Sequence, residues 1–282
     1  MSEFNIEKIH DTVWIFKGAI ENPQDIIDYY ENNTEWLDWY TFGKVTNLFG
    51  PVYEFNSFPT KQEWQEKMEK NIDESKDSQY LSIKKQIDEL FYDTTSLYLK
   101  ENNIPLDNWR FENWNIAKYQ PLEIDPGYIM MHHTDFQREL EYSPGNKFVV
   151  TAVFYLNDNY DGGEVEYRFV DGKDLQNVIA DYSYKPSAGD VAVFLSGHPH
   201  YHGVRSVNNG EKYIIRTYWR HIQEAHPKWK ELQEKYGNEV WEQMESDRLR
   251  YDRDHSVSVN NIPLFTDFEE YYYKLENNEL EN

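Results

Sequence analysis

The chain has 282 residues, a formal charge of −23 and no cysteine, and 17% of its residues are aromatic, among them 23 Tyr and 9 Trp. So acidic a protein is a poor partner for phosphate backbones. The absent thiols exclude disulfides and thiolate metal sites, which leaves His, Asp, Glu and water as metal ligands. Length and aromatic content suit a sizeable buried core. The N-terminal MSEFNIEKIHDTVWIF has no apolar run of signal-peptide length, and the longest apolar stretch, FVVTAVFYL, is too short to span a bilayer. The expectation is a soluble, cytoplasmic protein with no nucleic-acid and no membrane partner.

In chain order, Thr12 to Phe16 (TVWIF) reads as a short strand. NPQDIIDYYENN follows as a helix, with Asn22 at the N-cap, Pro23 at the first helical position and Ile26, Ile27 and Tyr30 at helical spacing. A second helical region runs from about Lys61 to Lys100, broken at DESKDSQ. Over its second half Ile83, Ile87, Leu90, Phe91, Thr94 and Leu97 trace one face. From Trp109 the texture changes to RFENWNIAKY, FVVTAVFYLN, DVAVFLS and EKYIIRTYWR, separated by the turn signals DPG, SPG, DGG, PSAGD and NNGE. Many strands without regular helices between them predict a β-sandwich or jelly roll. After Arg220 a charged helical pattern returns, with Trp229, Leu232, Tyr236, Val240 and Met244 on its packing face, and an acidic tail closes the chain. The domain reading is an N-terminal strand with supporting helices over 1–105, a β-core over 106–222 and a C-terminal helical extension over 223–282, with 1–105 part of the same fold as the core.

The stretch MHHTDFQRE places two histidines before an aspartate. Residues i and i+2 of a strand share a face, so His133 pairs with Asp135 and His132 faces away with Thr134. H-x-D alone is a weak signal. Downstream, SGHPHYHGVRSVNNGEKYIIRTYWR supplies His198, His200 and His202, all at alternating positions, then a turn and a strand bearing Lys212 and Arg216 at i and i+4. Two histidines and one carboxylate bound facially with open positions suit a non-haem Fe(II) centre. Either cation suits the distal carboxylate of a dicarboxylic co-substrate.

Taken in order, HTD, TAVFYLND, DGGEVEY, KPSAGDVAVFLS and HGVRSVNNGEKY resemble the catalytic core of the prolyl 4-hydroxylase-like 2-oxoglutarate/Fe(II)-dependent dioxygenases, over about Trp109 to Arg220. VWIFKGAIENPQDIIDYY is similar to the opening common in that family. The resemblance implies a mainly β fold, a double-stranded β-helix (jelly roll) core with N- and C-terminal helices packed on it. It also implies a hydroxylase using Fe(II), 2-oxoglutarate and dioxygen, with His133, Asp135 and His202 as the catalytic iron ligands. Lys212, ten residues after His202, would grip the distal carboxylate of 2-oxoglutarate; Tyr155 would hydrogen-bond this co-substrate, and Tyr119 would stand on the strand entering the site.

Arg216 is the rival of Lys212 for the carboxylate, or else holds the substrate. The turn after His202 favours it over His198 and His200. Where the family places a tyrosine, three residues before the first iron histidine, this chain has Met130, with Tyr128 two positions early, and PLEIDPG lengthens the same region. Gly162 and Gly163 read as a structural turn, Arg168 and Arg138 as exposed ion-pair residues, and Trp114, Tyr218 and Trp219 as core. The substrate expected from the family is a prolyl or similar residue of a peptide. The alternatives are a free amino acid or other small molecule, and a metal-binding jelly roll without oxygenase activity.

Overall fold

A computed structural model describes residues 4–39, 43–50, 53–72, 75–104, 107–111, 114–122, 127–133, 135, 149–169, 181–196 and 200–221. The first part comprises β1 (Ile6–His10), β2 (Val13–Phe16), α1 (Pro23–Asn33), β3 (Trp36–Trp39), β4 (Gly43–Phe49) and β5 (Tyr53–Ser57). Next come α2 (Lys61–Lys70), α3 (Ser78–Glu101), β6 (Asp107–Phe111), β7 (Asn115–Tyr119) and β8 (Tyr128–His133). The chain continues through β9 (Val149–Tyr155), β10 (Asp161–Gly162), β11 (Val165–Phe169) and β12 (Tyr182–Tyr184). It ends with β13 (Val191–Leu195), β14 (His200–Arg205), β15 (Val207–Asn209) and β16 (Lys212–His221).

Ten strands form a major sheet ordered β1-β2-β13-β9-β16-β7-β4-β3, with β6 on β16 and β5 on β6. A four-stranded minor sheet runs β12-β11-β14-β8, and β10 pairs with β15. The pairings are antiparallel throughout. The architecture is the expected mainly β jelly roll, with helices added to one face.

The apolar run of β9 is continuous because both of its faces are buried. Val150, Ala152 and Phe154 join the core beneath the helices, whereas Val153 and Tyr155 join the core between the sheets. β13 divides the same way, with Val191 and Val193 outward and Ala192 and Phe194 inward. The helices seal the outward face. From α3, Phe91 stacks on Phe154 with ring centroids 3.8 Å apart. From α2, Trp64 lies 5.0 Å from Phe111 and 5.4 Å from Trp219. Each of these buried rings contributes about 2 kcal/mol through area removed from water. The inward face of the major sheet is thereby left free for a site.

Several expectations change in detail. The helical region divides at DESKDSQ as expected, and α2 opens on a Thr60–Glu63 capping box. Asn22 does precede α1, but in the left-handed conformation (φ 48°) and without a side-chain cap bond. The N-terminal region also adds β3, β4 and β5 to the major sheet, strands that the sequence pattern had not shown. The expected C-terminal helix lies outside the described residues. Among the described residues no helix is long and apolar enough to cross a membrane.

Candidate metal centre

β14 is the hinge of the site, since it pairs with both β11 and β8. In register, His202 stands opposite His133, and their rings lie 4.4 Å apart. The next pair is Val204 with Met130, so three steps along β8 match two along β14. This bulge brings both Met130 and His133 to the pocket between the sheets. Gly203 permits it: a Cβ there would sit 3.0 Å from the Met130 carbonyl oxygen and 3.2 Å from the His132 nitrogen.

Asp135 reaches the same place by a different route from the expected one. β8 ends at His133, so the two candidate ligands do not share a strand face; Asp135 stands in a turn. Its backbone N–H donates to the Ser196 carbonyl at 2.8 Å. Its Oδ1 lies 3.6 Å from His133 Nε2 and its Oδ2 3.6 Å from His202 Nε2. One ligand atom from each of the three residues falls within 4.8 Å of the others. His200 begins β14 opposite Phe169 and is not in this cluster, and His198 lies outside the described residues.

The electrostatics suit a divalent cation. Burial pushes His202 down to about 3, against the pull of Asp135, so its imidazole is neutral and keeps a lone pair to offer. Burial works against the Asp135 charge, but His202, His133 and Thr151 beside it hold the carboxyl well below the usual range. Thr151 Oγ1 donates to Asp135 Oδ2 at 2.5 Å and lies 2.6 Å from Ser196 Oγ. A hydroxyl has one proton, so with Thr151 committed to the carboxylate, Ser196 donates to Thr151. Two imidazoles and one oriented carboxylate form the donor set that a non-haem Fe(II) ion takes. Thr151→Val removes the orienting bond and is expected to weaken Fe(II) binding about 10–100-fold. Thr151→Ser retains it, and anaerobic calorimetric titration with Fe(II) separates the two.

Every other expected site residue lines this pocket: Lys212, Tyr155, Arg216 and Tyr119. Lys212 is 1% exposed at its closed end. Its ammonium donates to the Gly163 carbonyl at 2.7 Å and lies 5.2 Å from the Tyr155 ring centroid, with Tyr119 and Tyr160 each at 5.8 Å. Burial, reinforced by the charge of Lys185, pushes it down to about 7. The DGG turn thus does more than reverse the chain. Gly163 has φ 68°, and its Cβ would lie 3.3 Å from Lys212 Cδ and 2.9 Å from the Tyr160 ring. Only glycine lets the lysine lie down against that carbonyl.

Three side chains depart from expectation. Tyr218 lines the pocket, whereas Trp114 and Trp219 are core as expected. Arg168 is buried, not exposed, and Arg138 lies outside the described residues. His132 faces away from the metal cluster as expected, yet it is no surface bystander. It is buried on the back of the minor sheet, 3.6 Å from Glu166, which also accepts from Arg205 at 2.6 Å and Tyr128 at 2.5 Å. Tyr128 is therefore turned away, and Met130, three residues before His133, lines the pocket.

Residues 115–221 match the family model described as the 2OG-Fe(II) oxygenase superfamily. This span is similar to a 2OG-Fe(II) oxygenase domain. It contains the three clustered ligands and both pocket cations. The chain is 30% identical over 90 residues to prolyl 3-hydroxylase 2 of Mus musculus, a match covering 32% of this chain and 12% of that relative. Among solved structures, an oxidoreductase of the 2OG-Fe(II) oxygenase family from Burkholderia pseudomallei is 12% identical, with 77% of this chain and 93% of that one covered and a TM-score of 0.47. A Pseudomonas putida prolyl-4-hydroxylase is 16% identical, with 75% and 93% covered and a TM-score of 0.40.

Proposed function

We propose that the chain is an Fe(II)- and 2-oxoglutarate-dependent dioxygenase that hydroxylates an unactivated C–H bond, in a prolyl or similar residue of a peptide. The observation that carries this reading is the convergence of His133, Asp135 and His202 with a buried lysine in one narrow pocket inside the span that matches the oxygenase family model. The prolyl class rests on the name of the mouse relative alone, of which the chain covers 12%. Residues 106–222 are the catalytic core in this reading, with 1–105 and 223–282 as extensions.

Held by these residues, ferrous iron and the keto acid would supply the oxidation, with conversion of 2-oxoglutarate to succinate and carbon dioxide coupled to entry of one dioxygen atom into the substrate C–H bond. The chain's own residues do the rest. His133 and His202 offer nitrogen donors and Asp135 an oxygen whose direction Thr151 sets. Lys212, protonated, pairs with the distal carboxylate of the keto acid, and Tyr155 offers it a hydroxyl. The buried rings of Tyr119, Tyr155 and Phe194 keep water from the pocket floor.

The test is anaerobic addition of Fe(II) and 2-oxoglutarate to the folded protein. A weak visible absorption band is expected, followed by succinate formation when air is admitted. Absence of both the band and 2-oxoglutarate binding would remove the oxygenase reading and leave a metal-binding jelly roll.

A further inference from the structure

Lys212 opens β16, where the strand is held unequally by its two neighbours. On one side Lys212 pairs with Tyr119 of β7. On the other side the ladder with β9 ends at Ile214 opposite Tyr155, short of the lysine. The buried side chain of Asn157 takes over from there. Its Nδ2 donates to the Glu211 carbonyl at 2.7 Å, and its Oδ1 accepts from the Tyr213 backbone N–H at 2.8 Å. The Leu156 N–H adds a bond to the Tyr213 carbonyl at 3.0 Å. One amide thus grips the backbone on both flanks of Lys212. Asn157 is aimed in turn by Asn159, whose Oδ1 accepts from Nδ2 at 2.6 Å, so both amide donor sites and the oxygen are in use.

The same connection also meets the ammonium. Gly163, on the turn that follows Asn157, accepts from Lys212 Nζ at 2.7 Å. Lys185 ties that turn down, donating to the Tyr160 carbonyl at 3.1 Å and to the Gly162 carbonyl. Tyr213 points to the opposite face of β16, where its hydroxyl lies 2.7 Å from Glu31 Oε1. An ammonium has three N–H donors. With one committed to Gly163 and the backbone fixed on both flanks, the other two are left for a ligand in the pocket that Lys212 lines. A lysine has many rotamers, and a ligand that had to order them on binding would lose affinity.

We propose that Asn157 is a positioning residue for the co-substrate: it touches no ligand itself but fixes the start of β16 so that Lys212 meets the distal carboxylate of the keto acid already aimed. This rests on the co-substrate role given to Lys212 above. Without the amide, a buried N–H and a buried carbonyl at the strand start lose their partner, and the flanks of Lys212 are released.

The experiment is a double-mutant cycle on the full chain loaded anaerobically with Fe(II): wild type, Asn157→Ala, Lys212→Met and the two combined. Titration calorimetry measures two probes, 2-oxoglutarate and 2-oxopentanoate, which has the same carbon chain and no distal carboxylate. Asn157→Ala is expected to weaken 2-oxoglutarate roughly tenfold, with Fe(II) and 2-oxopentanoate binding unchanged. In the Lys212→Met background the same change should cost about twofold or less, because residues acting through one contact are not additive. Thermal melts show that each variant is folded, and Asn157→Thr, with the same expected direction, serves if alanine does not fold. An additive cycle, an equal loss for both probes, unchanged 2-oxoglutarate affinity, or failure of both Asn157 variants to fold each overturns the inference and leaves Asn157 a residue of the fold. If Lys212→Met alone leaves 2-oxoglutarate unaffected, or wild type does not bind it, the reading of the co-substrate site fails and takes this inference with it.

Discussion

Asp135→Ala abolishes Fe(II) binding in the expected result, with a loss greater than the 100-fold that marks the upper end for an outer partner. Asp135 is the one anionic ligand in the cluster, so its removal takes away both a donor atom and the charge that offsets the cation. Its turn is held by the backbone bond to Ser196, which alanine keeps, so the fold should survive. Thermal melts separate loss of binding from loss of fold. A ligand at about 100 times its dissociation constant stabilises the folded state by about 2.7 kcal/mol. Wild type should therefore melt higher with Mn(II), used as a redox-inert substitute, and Asp135→Ala should melt the same with and without it. A variant that still gains stability from Mn(II), or still gives the visible band with Fe(II) and 2-oxoglutarate, would remove Asp135 from the ligand set.

The second large effect belongs to Lys212. Lys212→Met keeps the length of the side chain and deletes the charge, and it should weaken 2-oxoglutarate roughly 30-fold or more while iron still binds. The same change should stabilise the protein without ligand. In the fold the ammonium is pushed from 10.5 down to about 7, chiefly by burial. Between those values the unfolded chain holds a proton that the folded chain has released. Wild-type stability therefore rises with pH across that window and levels off below about 7, a slope that Lys212→Met should lack. Co-substrate binding has the opposite sign. The dianion needs the ammonium, so its affinity for wild type falls as pH climbs above about 7, and binding takes up a proton. Titration calorimetry in buffers of different ionisation heat measures that proton directly. If Arg216→Gln, not Lys212→Met, weakens 2-oxoglutarate, the two cations exchange roles.

Much of the site was legible because its signals are local. H-x-D, the ten-residue gap from His202 to Lys212, and the glycine pair of DGG are short-range features of known chemistry. His133, not His132, lies in the cluster with Asp135 and His202, but the i, i+2 strand face is not what brings it there: β8 stops at His133 and Asp135 arrives from a turn pinned to Ser196. The continuous apolar runs of β9 and β13 announced strands buried on both faces, and the helical period of α3 its packing face. Strands β3, β4 and β5 escape the sequence pattern because it is irregular there: β4 and β5 pair with β7 and β6, about 50 residues or more downstream, and β3 joins the sheet only through β4.

The residue types that cluster, their order along the chain and the class of fold were readable from residue chemistry and short periodicities. Which neighbours each group meets is the work of the tertiary structure. It set the β8–β14 bulge that admits Met130 and His133 together, and the Gly163 carbonyl beneath Lys212. It also buried Arg168 and His132 behind the minor sheet and brought Tyr218 into the pocket beside Arg216. Register, burial and charge environment arise from pairing between distant segments, and no spacing along one strand contains them.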